Sequence, residues 1–148
     1  MQNSIFAGTR FSLLPKIKYM IIIILSTQTG VIVLAGNYKE VNIKSDMPTS
    51  DDAIKRITYN IHNGKRLGYR AIKIIHGYGS TGAGGRIRIE ARRYLESQKR
   101  KGVIADYIPG EDFSIFSEQT RKAFDRCDEL RRDRDLERHN NGVTIIVF

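Results

Sequence analysis

The sequence contains one cysteine among its 148 residues, Cys127. A lone cysteine excludes an intramolecular disulfide, and no spacing of cysteine and histidine resembles a zinc site. This cysteine usage is typical of proteins in a reducing compartment. We therefore expect the protein to be cytoplasmic.

The chain also lacks an apolar run that is long enough to cross a membrane. Two short runs, residues 21–25 and 31–35, are separated by a polar stretch at 26–29. Each is far shorter than the ~20 residues that a membrane helix needs, so we do not expect a membrane partner. Residues 1–37 form an apolar and basic extension that fits three interpretations: a signal or anchor, two short strands, or a misassigned start with Met20 as the initiator.

Acidic residues are few compared with basic ones. The chain has 16 Asp and Glu against 25 Lys and Arg, which gives a net charge of +9 and a pI of about 9.8. Such a balance favours polyanionic partners such as nucleic acid or an anionic membrane. The length fits one compact domain, which we assign to residues 38–148.

Strand-like and helix-like segments alternate from residue 38 onward. The patterns predict strands at 41–43, 71–75, 103–105 and 143–147, and helices starting near residues 50 and 85. Apolar residues of 114–138 recur at helical intervals, so this stretch predicts one amphipathic helix whose charged residues form exposed ion pairs. The order predicts an α/β fold with a mixed or parallel sheet covered by helices. The helix after residue 85 has the predicted apolar stripe Ile87, Ala91, Tyr94 and Leu95, and the 114–138 helix has Phe116, Ala123, Phe124, Cys127 and Leu130.

A glycine-rich loop follows the second predicted strand. Five of the nine residues at 77–85 are glycine, and glycine lets main-chain amides at a helix start approach an anion closely. Phosphate is the natural ligand of such a loop. His76 could exchange protons at the end of the strand, and Tyr78 could stack on a base or ribose. The predicted binding positions are Gly77, Tyr78, Gly79, Ser80, Thr81, Gly82, Gly84 and Gly85.

A basic helix follows this loop. On a helix, Arg86, Arg93 and Arg100 share one solvent face, with Arg92 nearby. The array could neutralise several phosphates, and we assign Arg86, Arg92 and Arg93 to nucleic-acid binding. A solvated surface without a partner is the alternative.

The same residues fit the patterns of other functions. Gly77, Gly79 and Gly82 also fit the G-x-G-x-x-G pattern of dinucleotide-binding oxidoreductases, with Asp106 as the ribose-binding acid. The short chain and the basic helix count against that alternative. A tight structural turn with His76 capping the strand is a third interpretation. Asp106, Glu111 and Asp112 are clustered in the sequence, but acids in loops are usually solvated, and we assign no metal ligand.

Residues 74–82 resemble the His-Gly-x-Gly signature of the small MutS-related (Smr) domain, and Gly142-Val143-Thr144-Ile145 resembles its closing strand. The resemblance implies a small two-layer mixed sheet of about four strands, with a β-α-β-α-β-β core, and residues 114–138 become a helical insertion before the last strand. It also implies binding of DNA or RNA, and a nicking endonuclease that uses Mg²⁺ or Mn²⁺ with His76 as the catalytic residue.

The sequence departs from that family at the first strand. Nucleases of the family carry Leu-Asp-x-His there, whereas this chain has Val41-Asn42-Ile43-Lys44. The acid and the histidine are both replaced, while Lys44 adds a positive charge that favours phosphate binding. We therefore expect binding to survive this departure better than cleavage, and a module that only binds stands beside the endonuclease.

Overall fold

The structure is a computed structural model that describes residues 37–78 and 84–148. The predictions for residues 1–36 and for Gly79, Ser80, Thr81 and Gly82 fall outside these residues. The helices are α1 (Ser50–Leu67), α2 (Gly84–Arg100) and α3 (Glu118–Arg126), with 3-10 turns at Gly110–Asp112 and Asp128–Arg132. The strands are β1 (Tyr38–Asn42), β2 (Ala71–Ile75), β3 (Asp106–Pro109) and β4 (Val143–Val147).

The four strands form one mixed sheet in the order β1-β2-β4-β3. β1 and β2 are parallel, and β4 is antiparallel to both β2 and β3. The ends of β1, β2 and β3 and the start of β4 therefore lie at the same edge, which we call the carboxyl edge. The predicted α/β class and the mixed sheet of four strands are confirmed.

Helices α1 and α2 cover one face of the sheet. The Thr49 hydroxyl accepts a hydrogen bond from the Asp52 amide at the start of α1, and Gly68, with φ 78°, ends this helix. In α2 the predicted apolar stripe is confirmed, because Ala91 and Leu95 are buried and the other two residues pack beside them. Local caps and helical periodicity thus account for this layer.

The segment 114–138 covers the other face, but the prediction of one long helix was wrong. Helix α3 ends at Arg126, and Cys127 has an extended backbone with φ −145°. Because the chain changes direction at Cys127, Phe124 and Leu130 both pack on the sheet, as predicted. Phe116, which was also predicted to be buried, is 82% exposed. The insertion therefore packs on the face of the sheet opposite α1 and α2.

The third strand is also displaced from its predicted position. Residues 103–105 were expected to form it, yet β3 is Asp106–Pro109. Ile104 is instead buried in the core beside α1 and α2, and the Ala105 amide donates to the Val147 carbonyl at 2.8 Å. β3 is an edge strand, where Pro109 is tolerated because its missing N–H removes no interior ladder bond.

A buried ion cluster joins the insertion to the sheet. Lys73 on β2 is fully buried, and its Nζ lies 2.7 Å from Asp133, 2.8 Å from Asp135 and 3.0 Å from Glu40. Burial lowers the pKa of Lys73, but the hydrogen bonds to these carboxylates outweigh it and the pKa is raised. The expectation that the acids of this stretch form exposed ion pairs was therefore wrong for Asp133 and Asp135. We call Lys73, Glu40, Asp133 and Asp135 the Lys73 cluster.

Among the helices of the described residues, none combines the length and the apolar composition that a membrane span requires.

Candidate functional site

The carboxyl edge brings together segments that are far apart in the sequence. Lys44 follows β1, His76 and Gly77 follow β2, Glu111 follows β3, and Gly142 precedes β4. Ligands of α/β proteins bind at such an edge, where the loops after the strands converge. The candidate site is therefore built at the carboxyl edge and at the start of α2.

His76 is the central side chain of this edge, and it is only 3% exposed. Its Nδ1 lies 3.2 Å from the Gly77 carbonyl and its Nε2 lies 3.0 Å from the Thr144 hydroxyl. A carbonyl only accepts, so Nδ1–H donates to Gly77 and Nε2 accepts from Thr144, which assigns the neutral Nδ1–H tautomer. Both ring nitrogens are thus engaged within the protein.

Burial lowers the pKa of His76. The hydrogen bond to Gly77 raises this pKa, but the positive charges of Arg92 and Arg88 lower it further. The imidazole is consequently neutral near pH 7, because its pKa lies below the ordinary value of about 6.5. This environment suits a residue that orients the loop, and the catalytic role of His76 stays a prediction.

Gly77 is held where only glycine fits well. The amides of His76 and Gly77 both donate to the Gly142 carbonyl, at 3.0 and 2.9 Å. Gly77 has φ 75°, and a Cβ at this position would lie 3.0 Å from Cδ of Lys44. The left-handed backbone and the close approach both favour glycine. The structure thus places Lys44 beside Gly77 at the start of the glycine loop. Both residues were predicted to bind nucleic acid.

Arg56 supports the loop that contains Lys44, a role that the sequence did not predict. From α1 its Nη1 donates to the carbonyls of Ile43 and Ser45, at 3.2 and 2.8 Å. These bonds support a turn in which Asp46 and Met47 both have positive φ, 64° and 47°. Such backbone is unusual for residues other than glycine and is found at functional sites. An arginine on an amphipathic helix carries no sequence signal for this role.

The remaining predicted loop positions are only partly described. Tyr78 is 67% exposed after β2, where stacking on a base stays a prediction. Gly84 and Gly85 form the first residues of α2, so they are helical rather than part of an open loop. The start of α2 nevertheless carries the positive end of the helix dipole, which favours anions.

The predicted arginine face of α2 is present. Arg86, Arg93 and Arg100 are exposed and follow one another at intervals of seven residues, so they lie on one side of the helix. Within residues 37–78 and 84–148, Arg93 has a carboxylate at 3.5 Å, from Glu90, and Arg86 and Arg100 have none within 4.0 Å. We call these three residues the arginine face.

Arg92, which was predicted to lie near this face, is paired with an acidic side chain. Its Nη2 lies 2.6 Å from Oε2 of Glu111 at the end of β3. Burial raises the pKa of Glu111, but the hydrogen bond from Arg92 outweighs it and the pKa is lowered. The Glu111 carboxylate offsets the positive charge of this guanidinium, so Arg92 attracts a phosphate less strongly. The ion pair also joins α2 to the turn after β3.

The acidic residues that are clustered in the sequence are separated in the structure. Asp106 pairs with Val147 at the far end of the sheet and forms an ion pair with Lys99 at 2.8 Å. Glu111 and Asp112 follow the opposite end of β3. Asp106 therefore cannot join them in a metal site, nor can it bind the ribose of a dinucleotide held at Gly77. In the described part of the chain, no three potential ligands are grouped for a metal.

Comparison with known proteins gives one structural likeness. No family model matches the sequence, and no curated protein matches it. The chain is similar in structure to the Smr domain of MutS2 from Thermus thermophilus, with 18% identity and a TM-score of 0.45. The similarity covers 74% of this chain and 95% of that domain.

Proposed function

We propose that this domain binds nucleic acid through the phosphate backbone. The observation that carries the proposal is the arginine face, whose three guanidinium groups stand in a row on a helix that starts at the carboxyl edge. Arginine binds phosphate oxygens with paired N–H groups and always keeps its charge. Arginines along one side of a helix can contact phosphates of a nucleic acid without reading the bases.

The carboxyl edge extends this surface. Lys44 is exposed beside Gly77, and the start of α2 adds the partial positive charge of its free amides. The glycine loop between them is the predicted phosphate contact. A nucleic-acid strand that crosses this edge would therefore meet the positive charge of Lys44 and the positive end of the α2 dipole.

Binding without cleavage is the form of this function that the geometry supports best. Both ring nitrogens of His76 are engaged with Thr144 and Gly77, so neither is free to take a proton from water. Asn42 and Lys44 stand where the family's nucleases carry an acid and a histidine. A nicking endonuclease that uses Mg²⁺ or Mn²⁺ is the second candidate. The dinucleotide-binding alternative is opposed by the position of Asp106 at the far end of the sheet.

The binding proposal is tested by removing charge from the arginine face. Arg86→Ala combined with Arg93→Ala should weaken binding of labelled DNA and RNA of any sequence to a similar degree. The slope of log affinity against log salt should become shallower by about 1.8 for duplex DNA, because two phosphate contacts are lost. Arg132→Ala is the matched control, since this exposed arginine lies on the insertion. If Arg132→Ala weakened binding as much as the double substitution of Arg86 and Arg93 does, the proposal would be contradicted.

Cleavage is tested separately with supercoiled plasmid and single-stranded RNA, with and without Mg²⁺ or Mn²⁺. We expect no nicking at protein concentrations that saturate binding. Metal-dependent nicking that His76→Ala abolishes, while binding persists, would instead establish the endonuclease.

A further inference from the structure

A second exposed feature lies in the loop between β3 and α3. Phe116 is 82% exposed and its neighbour Ile115 is 47% exposed. The sequence pattern had placed Phe116 on the buried side of a helix. An aromatic side chain in water contributes nothing to the core, and its ring is accessible to a ligand.

The loop that carries Phe116 is held in place by hydrogen bonds. The Glu137 carboxylate accepts from the Ser114 hydroxyl at 3.1 Å and from the Ile115 amide at 2.5 Å. On the other side, Nη1 of Arg121 donates to the carbonyls of Ile115 and Phe116, both at 3.3 Å. The ring is therefore presented on an ordered backbone, which reduces the entropy lost when a ligand binds.

The position of Phe116 links it to the candidate site. The loop follows the turn after β3 at the carboxyl edge, and the Ser114 amide donates to the Asp112 carbonyl at 2.9 Å. Phe116 lies five residues beyond Glu111, which contacts Arg92 of α2. Five residues span at most about 18 Å, so a few nucleotides of single strand could extend from Phe116 to the ion pair of Arg92 and Glu111. Tyr78 is a second exposed aromatic residue at the same edge.

We infer that this surface binds nucleic acid with unpaired bases, and that Phe116 stacks on one of them while the arginine face holds the phosphates. The inference rests on the proposed function and names its substrate class. Bases inside a duplex are stacked on each other, so their faces are closed to a protein ring. Single strands expose these faces, and aromatic rings beside positive charge are the usual means of binding them.

The composition around Phe116 favours this ligand over a protein partner. Ile115 is its only exposed apolar neighbour in the loop, and polar residues Ser114, Ser117 and Glu118 flank the pair. Two apolar side chains make a patch far smaller than the roughly 1,000 Å² that a stable protein interface buries. The guanidinium of Arg121 and the net charge of +9 suit a polyanion.

The stacking can be observed directly, because the chain contains no tryptophan. Phe116→Trp would introduce the sole indole at the proposed stacking position. We expect a single-stranded oligonucleotide to quench its fluorescence, and a duplex of equal length to quench it much less. Tyr59→Trp is the matched control, since Tyr59 is 68% exposed on α1 and outside the loop, and its indole should stay unquenched.

Affinity measurements on the full chain complete the test. Phe116→Ala should weaken binding of the single strand about 5- to 100-fold and leave duplex binding unchanged. If the single strand binds with unchanged affinity and without quenching at position 116, the inference is wrong and the proposed function stands. If neither oligonucleotide binds the wild-type chain, the proposed function itself fails. If Phe116→Ala instead converts a dimer to a monomer in sedimentation, the loop is a self-association surface and the inference is wrong.

Discussion

The sequence suggested a functional role for His76, whereas the contacts of this side chain in the structure stabilise the fold. It occupies the signature position of the glycine loop, where proton exchange was the natural expectation. In the folded chain it joins the end of β2 to Thr144 of β4 and to the Gly77 carbonyl. A buried imidazole with both nitrogens satisfied stabilises the turn from which the glycine loop departs.

The lowered pKa of His76 predicts that acid weakens the fold. Below about pH 6.5 the unfolded chain takes up a proton at this histidine while the folded chain does not, so the free energy of unfolding falls as the pH drops towards the lowered pKa. We expect wild-type protein to unfold at lower urea concentration at pH 5.5 than at pH 7.5. His76→Gln should be less stable at pH 7.5 and lose less on acidification. An unchanged pH dependence in this variant would show that the histidine is not the source.

Lys73 predicts a large loss of stability when it is replaced. Lys73→Met removes the cation and leaves the carboxylates of Asp133 and Asp135 buried without it, which typically costs about 3–5 kcal/mol. Denaturation in urea measures the loss. Lys55→Met is the control, because the pair of Lys55 with Asp52 is exposed and should change stability little. A small effect at Lys73 would mean that the carboxylates are solvated or protonated in the folded chain.

Asp135 of the Lys73 cluster also makes the stability of the fold depend on pH. Burial raises the pKa of Asp135, but its hydrogen bond from Lys73 outweighs this and the pKa is lowered. A lowered pKa stabilises the fold above the unfolded value of about 3.9, and this stability is lost as the pH falls through the lowered pKa. The effect of Asp135 therefore lies at more acidic pH than that of His76, and the two are separable by titration.

The turn Gly110–Asp112 shows how two elements are packed against each other. A Cβ at Gly110 would lie 2.0 Å from the Asn140 carbonyl oxygen and 2.6 Å from Cγ2 of Val143. Val143 cannot move far, because β4 is paired on both sides, and the Asn140 oxygen belongs to the backbone directly before that strand. The segment before β4 and the turn after β3 thus meet through backbone at the carboxyl edge.

Gly110→Ala should therefore destabilise the domain by more than about 2 kcal/mol, the scale of overpacking and backbone strain. The loss of packing at the carboxyl edge should also weaken nucleic-acid binding. Gly85→Ala provides the control, since a Cβ there meets nothing within 4 Å and alanine favours a helix by roughly 0.5–1 kcal/mol. Thermal unfolding of both variants distinguishes a clash at Gly110 from a general intolerance of alanine.

The elements that sequence reasoning placed well are those whose ends carry local signals. Helix α1 has Thr49 at its start and Gly68 at its end, and β4 is a run of apolar residues that is buried throughout. The insertion has no comparable stop signal, because neither glycine nor proline separates α3 from the turn at Asp128–Arg132. Phe116 and Phe124 therefore looked alike in the sequence, although one is exposed and the other buried.

The excess of basic residues in the chain predicts salt-dependent binding. The chain carries +9, and the arginine face alone could contact three phosphates. Three contacts predict a slope near −2.7 for log affinity against log salt, or about a 40-fold loss between 50 and 200 mM salt. Fluorescence anisotropy with labelled duplex DNA measures this slope. An affinity that does not change with salt would contradict the proposed phosphate contacts.

The sequence by itself determined the α/β class, the apolar stripe of α2 and the basic character of α2, because each of these depends on residues that are neighbours along the chain. Only the tertiary structure decided which polar and charged side chains have partners within the protein. It placed Lys73 against Asp133, 60 residues away, His76 against Thr144, 68 residues away, and Arg92 against Glu111. Periodicity shows which side of a segment is buried, but the partner that it meets there depends on how the strands are ordered in the sheet.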